Sequence, residues 1–153
     1  MKKLFRLLPL VCLALLLTAC TKSNADKITS VLNQCAKTSH TAGSVSRDPA
    51  AQAQFVADEF QKMDVRSCPA DFRVAFQRHV FAWQQAVPYL QQDNVGTTIL
   101  EGLAAGLAED PRYLGAASGQ AAGAVQEINA SYLDLTVIAA AYGASIPSSV
   151  VGR

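Results

Sequence analysis

The sequence predicts an all-α protein, a bundle of four or five helices behind a cleaved N-terminal signal peptide. Beyond residue 25, apolar residues recur every three or four positions, which is typical of helices with one buried face. No stretch alternates convincingly at period two, so no sheet is expected. Two cysteines in the mature chain, Cys35 and Cys68, further predict one disulfide that staples the bundle.

The first nineteen residues predict a secretory signal peptide. Basic residues at Lys2, Lys3 and Arg6 precede an apolar stretch over 7–19, which Pro9 interrupts. This stretch is well short of the ~20 apolar residues that a bilayer-spanning helix needs. A basic start, a short apolar middle and a small residue before the cut indicate export and cleavage.

The end of this segment, Leu17-Thr18-Ala19-Cys20, resembles the lipobox of bacterial lipoproteins. The resemblance implies cleavage before Cys20, a diacylglyceryl group on its thiol and acylation of the new N-terminus. Several acyl chains would hold the protein stably on a membrane, whereas one holds it marginally. Because Thr21 rather than aspartate follows the cysteine, the resemblance also implies an outer-membrane location facing the periplasm. The alternative is an ordinary signal peptide with a chance cysteine.

The mature chain has the length of one domain, and its charge excludes one class of function. Three of the thirteen basic residues lie in the signal segment, which leaves ten against twelve acidic residues. With no basic patch, nucleic-acid binding is not expected. In an oxidising compartment, a bridge between Cys35 and Cys68 would stabilise the fold by ~3–4 kcal/mol. The alternatives are two free buried thiols or, less favoured, a redox-active pair.

The first two helices flank a polar loop. A tether over 20–25 leads to a helix from about Asp26 to Ser39, followed by a loop over 40–47 rich in Ser, Thr and Gly. Asp48-Pro49 then combines an N-cap residue with a proline at the first helical position. The second helix is expected to continue to about Val65, with an apolar stripe at its three-four spacing.

The remaining helices are predicted by stripes and by start signals. The third begins near Pro69 and should kink or end over 84–87, because Pro88 removes a hydrogen bond. A capping box opens a fourth over 98–108, whose apolar face has Leu100, Leu103 and Leu107. The last starts at Pro111 or after Gly119 and ends at Tyr142, with Gly143 as its C-cap.

The single domain therefore spans 26–143, and a mobile tail over 144–153 follows. In a plain helical hairpin the two cysteines would lie at opposite ends, too far apart for a bridge. The disulfide thus predicts that the loop over 40–47 returns along the bundle. The second helix would then run parallel to the first or lie across it.

His79 is the best candidate for a ligand site, because Phe76 and Trp83 lie three residues before and four after it. These three residues would border a pocket, with His79 as an axial haem ligand and Met63 opposite. The favoured alternative is a half-buried histidine that donates to a carbonyl or carboxylate, since an aromatic stripe usually belongs to the core. No Cys-x-x-Cys-His and no metal-ligand spacing occurs, so no cofactor or metal is predicted.

No catalytic residues are predicted, since the chain shows no combination of nucleophile, base and stabilising group. Glycines spaced by four, at Gly102 and Gly106 and again at Gly115, Gly119 and Gly123, indicate close packing inside the bundle. The alternatives are a membrane-associating helix pair or a seam between copies. The expected function is a non-catalytic binding or scaffolding module of the cell envelope, acting on an unidentified partner. The alternatives are a periplasmic inhibitor or immunity-type protein, and a carrier of haem or another apolar ligand.

Overall fold

The computed structural model describes residues 23–92 and 120–147, and these form four α-helices and no strands. They are α1 (Asn24–Val45), α2 (Pro49–Gln61), α3 (Ala70–Gln92) and α4 (Gln120–Ala141). The all-α prediction is confirmed for these residues. The signal peptide, Cys20 and the predicted helix over 98–108 lie outside the described residues, as does a start of the last helix at Pro111. Within the described ranges, no helix is both long enough and apolar enough to cross a bilayer.

Helix α1 is longer than predicted at both ends. Ser23 is its N-cap and forms a capping box with Asp26, so the helix begins inside the segment expected to be a tether. At the other end it continues to Val45, where a polar loop was predicted. Buried Ala42 anchors these extra turns, and the Thr41 hydroxyl donates to the carbonyl of Lys37.

Helix α2 begins as predicted, with Asp48 as N-cap accepting from the backbone N–H of Ala50. Only residues 46–48 separate it from α1, so it turns directly back along α1. Met63, just after its end, reaches Cys35 in the middle of α1, with 3.7 Å between the two sulfurs. The prediction of a second helix parallel to the first was therefore wrong, because the loop that had to return along the bundle is mostly helix.

The structure does not support the predicted disulfide, since Cys35 and Cys68 are both free and buried. Cys68 lies near the start of α1, close enough for the charge of Lys27 to act on its thiol. Lys27 precedes Cys35 by two turns of α1, about 12 Å along the axis. Bridged cysteines need Cα atoms within ~7 Å. The alternative of two buried thiols matches the structure, and burial raises the pKa of Cys35 to about 12.

Helix α3 runs through Pro88 to Gln92, so of the two effects predicted for Pro88, an end or a kink over 84–87, the end was wrong. The proline ring lies on the exposed side of the helix, whereas Ala86 and Leu90 on either side are buried in the core. Packing of these neighbours offsets the hydrogen bond that proline removes.

Helix α4 packs antiparallel to α3. The Tyr142 hydroxyl, just after α4, donates to the carboxylate of Asp71 in the first turn of α3, at 3.1 Å from each oxygen. Gly143 has a positive φ of 70°, which confirms it as the residue that ends α4. Of the predicted tail, the backbone N–H of Ser145 donates to Thr29 Oγ1 at 2.9 Å. The starts of α1 and α3 and the end of α4 therefore share one end of the bundle.

Candidate functional site

The predicted pocket residues come together, but as part of the packed core. Phe76, His79 and Trp83 lie on the inner side of α3 and are almost fully buried. Phe60 of α2 packs against all three, with ring centroids 5.7 to 6.3 Å apart. We call these four residues the aromatic cluster. Its position follows from the sequence, because the stripe on α3 meets the stripe on α2 after a short connection.

Both ring nitrogens of His79 have hydrogen-bond partners. The Trp83 indole N–H donates to His79 Nε2 at 3.2 Å, and His79 Nδ1 lies 2.9 Å from Ser131 Oγ. An indole can only donate, so Nε2 accepts and the proton of a neutral ring sits on Nδ1. Ser131 in turn donates to the carbonyl of Ile128 at 2.9 Å. The chain of donors from Trp83 to that carbonyl leaves none of these polar groups unpaired.

Burial lowers the pKa of His79 from 6.5 to about 3, so the ring is neutral near pH 7. A proton added to Nε2 would point at the indole N–H, and two donors would then face each other. The favoured alternative, a structural histidine that donates a hydrogen bond, agrees with this geometry, although the ring is almost fully buried rather than half-buried. The partner is the hydroxyl of Ser131 rather than a carbonyl or carboxylate.

The arrangement does not match the proposed haem ligation. Both nitrogens of His79 already have partners, and an axial ligand needs one free lone pair. Met63, expected opposite His79, contacts Cys35 instead. Among the described residues, no group of three or more His, Cys, Asp or Glu side chains converges on a common point.

Nor does the pairing of Ser131 with His79 form a nucleophile and its base. A catalytic serine donates its proton to the histidine that activates it. Here His79 donates to Ser131, and the serine proton is used on the carbonyl of Ile128. These hydrogen bonds join α3 to α4. Because the serine donates its proton to a carbonyl and not to His79, the hydroxyl is not activated as a nucleophile.

Sequence reasoning missed Ser131, although a signal was present. The apolar stripe of α4 includes Ile128 and Leu135, and Ser131 lies three residues after one and four before the other. That spacing is a core position. A serine at a core position indicates a buried polar partner, because an unpaired hydroxyl there costs free energy.

The opposite side of the same two helices has an unexpected composition. Three large apolar side chains are more than half exposed there: Val74 at 54%, Phe81 at 59% and Val137 at 62%. A groove runs between α3 and α4 beneath them, in two adjoining depressions of about 530 and 470 Å³. We call this surface the α3–α4 face.

Charged residues line the groove as well. Arg78 of α3 and Asp134 of α4 border both depressions, and Glu127 borders the second. None of the three forms a salt bridge with another described residue. The α3–α4 face therefore combines exposed apolar side chains with charges that have no counter-ion within the described chain. Comparison with known proteins adds no relative to this geometry: no protein-family model, curated protein or solved structure matches the chain.

Proposed function

We propose that this protein is a bacterial lipoprotein, anchored through Cys20 on the periplasmic side of the outer membrane, whose helical domain is a non-catalytic protein-binding module. The lipobox resemblance of Leu17-Thr18-Ala19-Cys20 supports the anchor. Under this proposal the folded domain begins only three residues after the anchor, at the capping box of Ser23. The domain would therefore sit close to the membrane surface.

The α3–α4 face is the observation that carries the binding role. Most large apolar side chains of this domain are buried, yet three exposed ones, Val74, Phe81 and Val137, border the groove between α3 and α4. A contiguous exposed apolar patch on a small domain typically marks an interaction site. Helix α4 is rich in apolar residues, and some of them lie outside its buried stripe, as expected for a helix that is covered on more than one face.

The α3–α4 face favours the inhibitor or immunity-type alternative over the haem carrier. An inhibitor or immunity-type protein would need an exposed apolar or acidic surface to block a toxin or hydrolase, and the α3–α4 face has both characters near Glu127 and Asp134. A carrier of haem has less support, because His79 would have to give up one of its two hydrogen bonds to coordinate iron.

The anchor is tested by a Cys20→Ser variant. We expect the wild-type protein in the outer-membrane fraction and the variant out of it, since the variant has no thiol to acylate. Metabolic labelling with a radioactive fatty acid should mark the wild type alone. Labelling of neither protein would contradict the anchor.

The binding role is tested by placing a charge on the α3–α4 face. We expect Val137→Asp to abolish any stoichiometric complex that the wild-type protein forms after gentle detergent extraction, because the new carboxylate would be desolvated at the contact. Val45→Asp is the matched control, since Val45 is 53% exposed at the far end of α1. Equal effects of the two substitutions would contradict a role for this face.

A further inference from the structure

The residues of α3 and α4 are aligned so that the α3–α4 face is complementary to the same face of a second copy. Two contacts fix how α3 and α4 align, one from Asp71 to Tyr142 and one from His79 to Ser131. Because the helices are antiparallel, Arg78 and Asp134 lie at the same level, and both border each depression of the groove. Across the groove a cation thus stands level with an anion, yet no salt bridge joins them.

We propose that the partner at the α3–α4 face is a second copy of this chain. The two copies would be related by a two-fold axis that runs along the groove, parallel to the helices. This operation places α3 of one copy over α4 of the other without changing the level of any residue. Arg78 then meets Asp134 of the partner subunit, and the same contact occurs a second time by symmetry.

The apolar residues fit the same arrangement. Val74 and Val137 border the first depression, whereas Phe81 and Ala130 border the second. Under the proposed axis, each bulky side chain of α3 covers the α4 side of the partner groove at its own level. The valine pair meets its symmetry-related pair, and Phe81 lies over the small side chain of Ala130 of the partner subunit. Apolar area is thus buried on both sides of the charge contacts along the axis.

The other two-fold arrangement is unfavourable. An axis perpendicular to the helices, in the plane of the contact, would set α3 against α3 and α4 against α4. With its centre near Arg78, it would bring the two arginines together and also Asp134 against its own copy. Like charges that face each other across an interface cost binding free energy. The distribution of charge therefore selects the parallel axis.

The anchor selects the same axis, and this step rests on the proposed function. The Ser145–Thr29 hydrogen bond places the start of α1 at the end of the bundle where α4 finishes. A two-fold axis parallel to the helices leaves both α1 helices starting at that one end. Both lipidated cysteines could then enter the same membrane. The perpendicular axis would put the two anchors at opposite ends of the dimer.

A charge-reversal experiment tests the pairing with the full-length, lipidated chain. Two copies with different affinity tags are co-expressed, extracted in mild detergent and recovered through one tag. We expect wild-type copies to co-purify. Either Arg78→Asp or Asp134→Arg in both copies should weaken co-purification about tenfold, because each converts two attractive contacts into repulsive ones.

The decisive sample mixes an Arg78→Asp copy with an Asp134→Arg copy. In that pair, both contacts across the two-fold axis again join opposite charges, so recovery should return to near the wild-type level. A mere folding defect would not be repaired by mixing. Circular dichroism of each variant, which should match the wild type, confirms that both substitutions leave the helices intact.

Three outcomes would overturn the proposal: wild-type copies that do not co-purify, single reversals with wild-type recovery, or a mixed pair no better than the single reversals. The first would mean that another protein or the 93–119 segment uses the α3–α4 face. These results are independent of the anchor, because the Cys20→Ser fractionation reports on lipidation alone. A wild-type protein that pairs but is absent from the membrane fraction would contradict the proposed function and leave the dimer standing.

Discussion

The two sides of α3 and α4 reverse the usual distribution of polarity. On the inner side, the polar groups of His79, Trp83 and Ser131 are buried and each has a partner. On the outer side, Phe81 and its apolar neighbours face solvent. On the inner side, these polar groups all have partners within the chain. The outer side has the exposed apolar side chains that are typical of a protein-binding surface. A buried histidine is therefore weak evidence for a ligand site when its hydrogen bonds are complete.

The difference also separates stability from association. Side chains that are packed on all sides contribute to the free energy of unfolding, and a buried polar group left without its partner lowers it further. Exposed side chains contribute little to folding and more to binding. Substitutions on the two sides should consequently change different measured quantities.

The largest expected effect compares two phenylalanines on opposite sides. Phe60 is 1% exposed and contacts the other three members of the aromatic cluster. Phe60→Ala should lower the free energy of unfolding by about 3–5 kcal/mol, because it removes a buried ring and leaves a cavity. The measurement is the denaturant midpoint followed by circular dichroism.

Phe81→Ala is the matched control, since it removes the same atoms from the α3–α4 face. Its free energy of unfolding should stay within about 0.5 kcal/mol of the wild type at a concentration where the protein is monomeric. The same variant should reduce co-purification of tagged copies. A large stability loss from Phe81→Ala would mean that a part of the same chain buries the ring.

The next largest expected effect is the dependence of the free energy of unfolding on pH that His79 causes. Its pKa is about 3 in the folded protein and near 6.5 when unfolded, so the unfolded state takes up a proton first as pH falls. Stability from this group is complete above pH 6.5 and declines toward pH 3. The slope should reach at most ~1.4 kcal/mol per pH unit. Denaturation curves at pH 7, 6, 5 and 4 measure it.

A His79→Gln variant should lose this component of the slope, whatever its overall stability. His40→Gln is the control, at an exposed position on α1. If His79→Gln does not fold, the ring protons of His79 in the wild type can be followed by NMR instead. They should show no titration between pH 7 and 4.5, and a midpoint near 6.5 would contradict the buried network.

The sequence predicted what depends on local pattern. The helix class, the start of α2 at Asp48, the C-cap at Gly143 and the gathering of Phe76, His79 and Trp83 follow from spacing and end signals. The errors concern tertiary packing. Burial of Ala42 extended α1 over a Ser- and Thr-rich segment, and burial of Leu90 carried α3 past a proline. Local propensity cannot report these contacts.

The disulfide prediction failed for a related reason. The count of cysteines in the mature chain left one pair in an oxidising compartment, but a count does not tell how far apart the two thiols lie. The direct return of α2 along α1 places Met63 rather than Cys68 beside Cys35. The α3–α4 face was equally out of reach, because the three-four stripe of α4 identifies its buried side. Only the fold shows that Val137, outside that stripe, borders the groove and has no cover among the described residues.

The smallest expected effect comes from substituting two glycines, one inside α4 and one just after it. One of these substitutions also tests how far the α3–α4 face extends along α4. Gly143 has a φ of +70°, where a Cβ is strained, whereas a Cβ built at Gly123 would meet nothing within 4 Å. Gly143→Ala should lower the free energy of unfolding by about 1 kcal/mol. Gly123→Ala should raise it by up to ~1 kcal/mol, because alanine favours a helix interior. Thermal unfolding compares the two signs directly.

Gly123 also bears on the seam suggested by glycines at four-residue spacing. If the contact between copies ends near Glu127, Gly123→Ala should leave co-purification of tagged copies unchanged while it stabilises the monomer. If the contact extends along α4 to Gly123, the added methyl group should separate the helices and reduce recovery. The described chain does not approach Gly123, so a stabilised but less associated variant would place a second copy there.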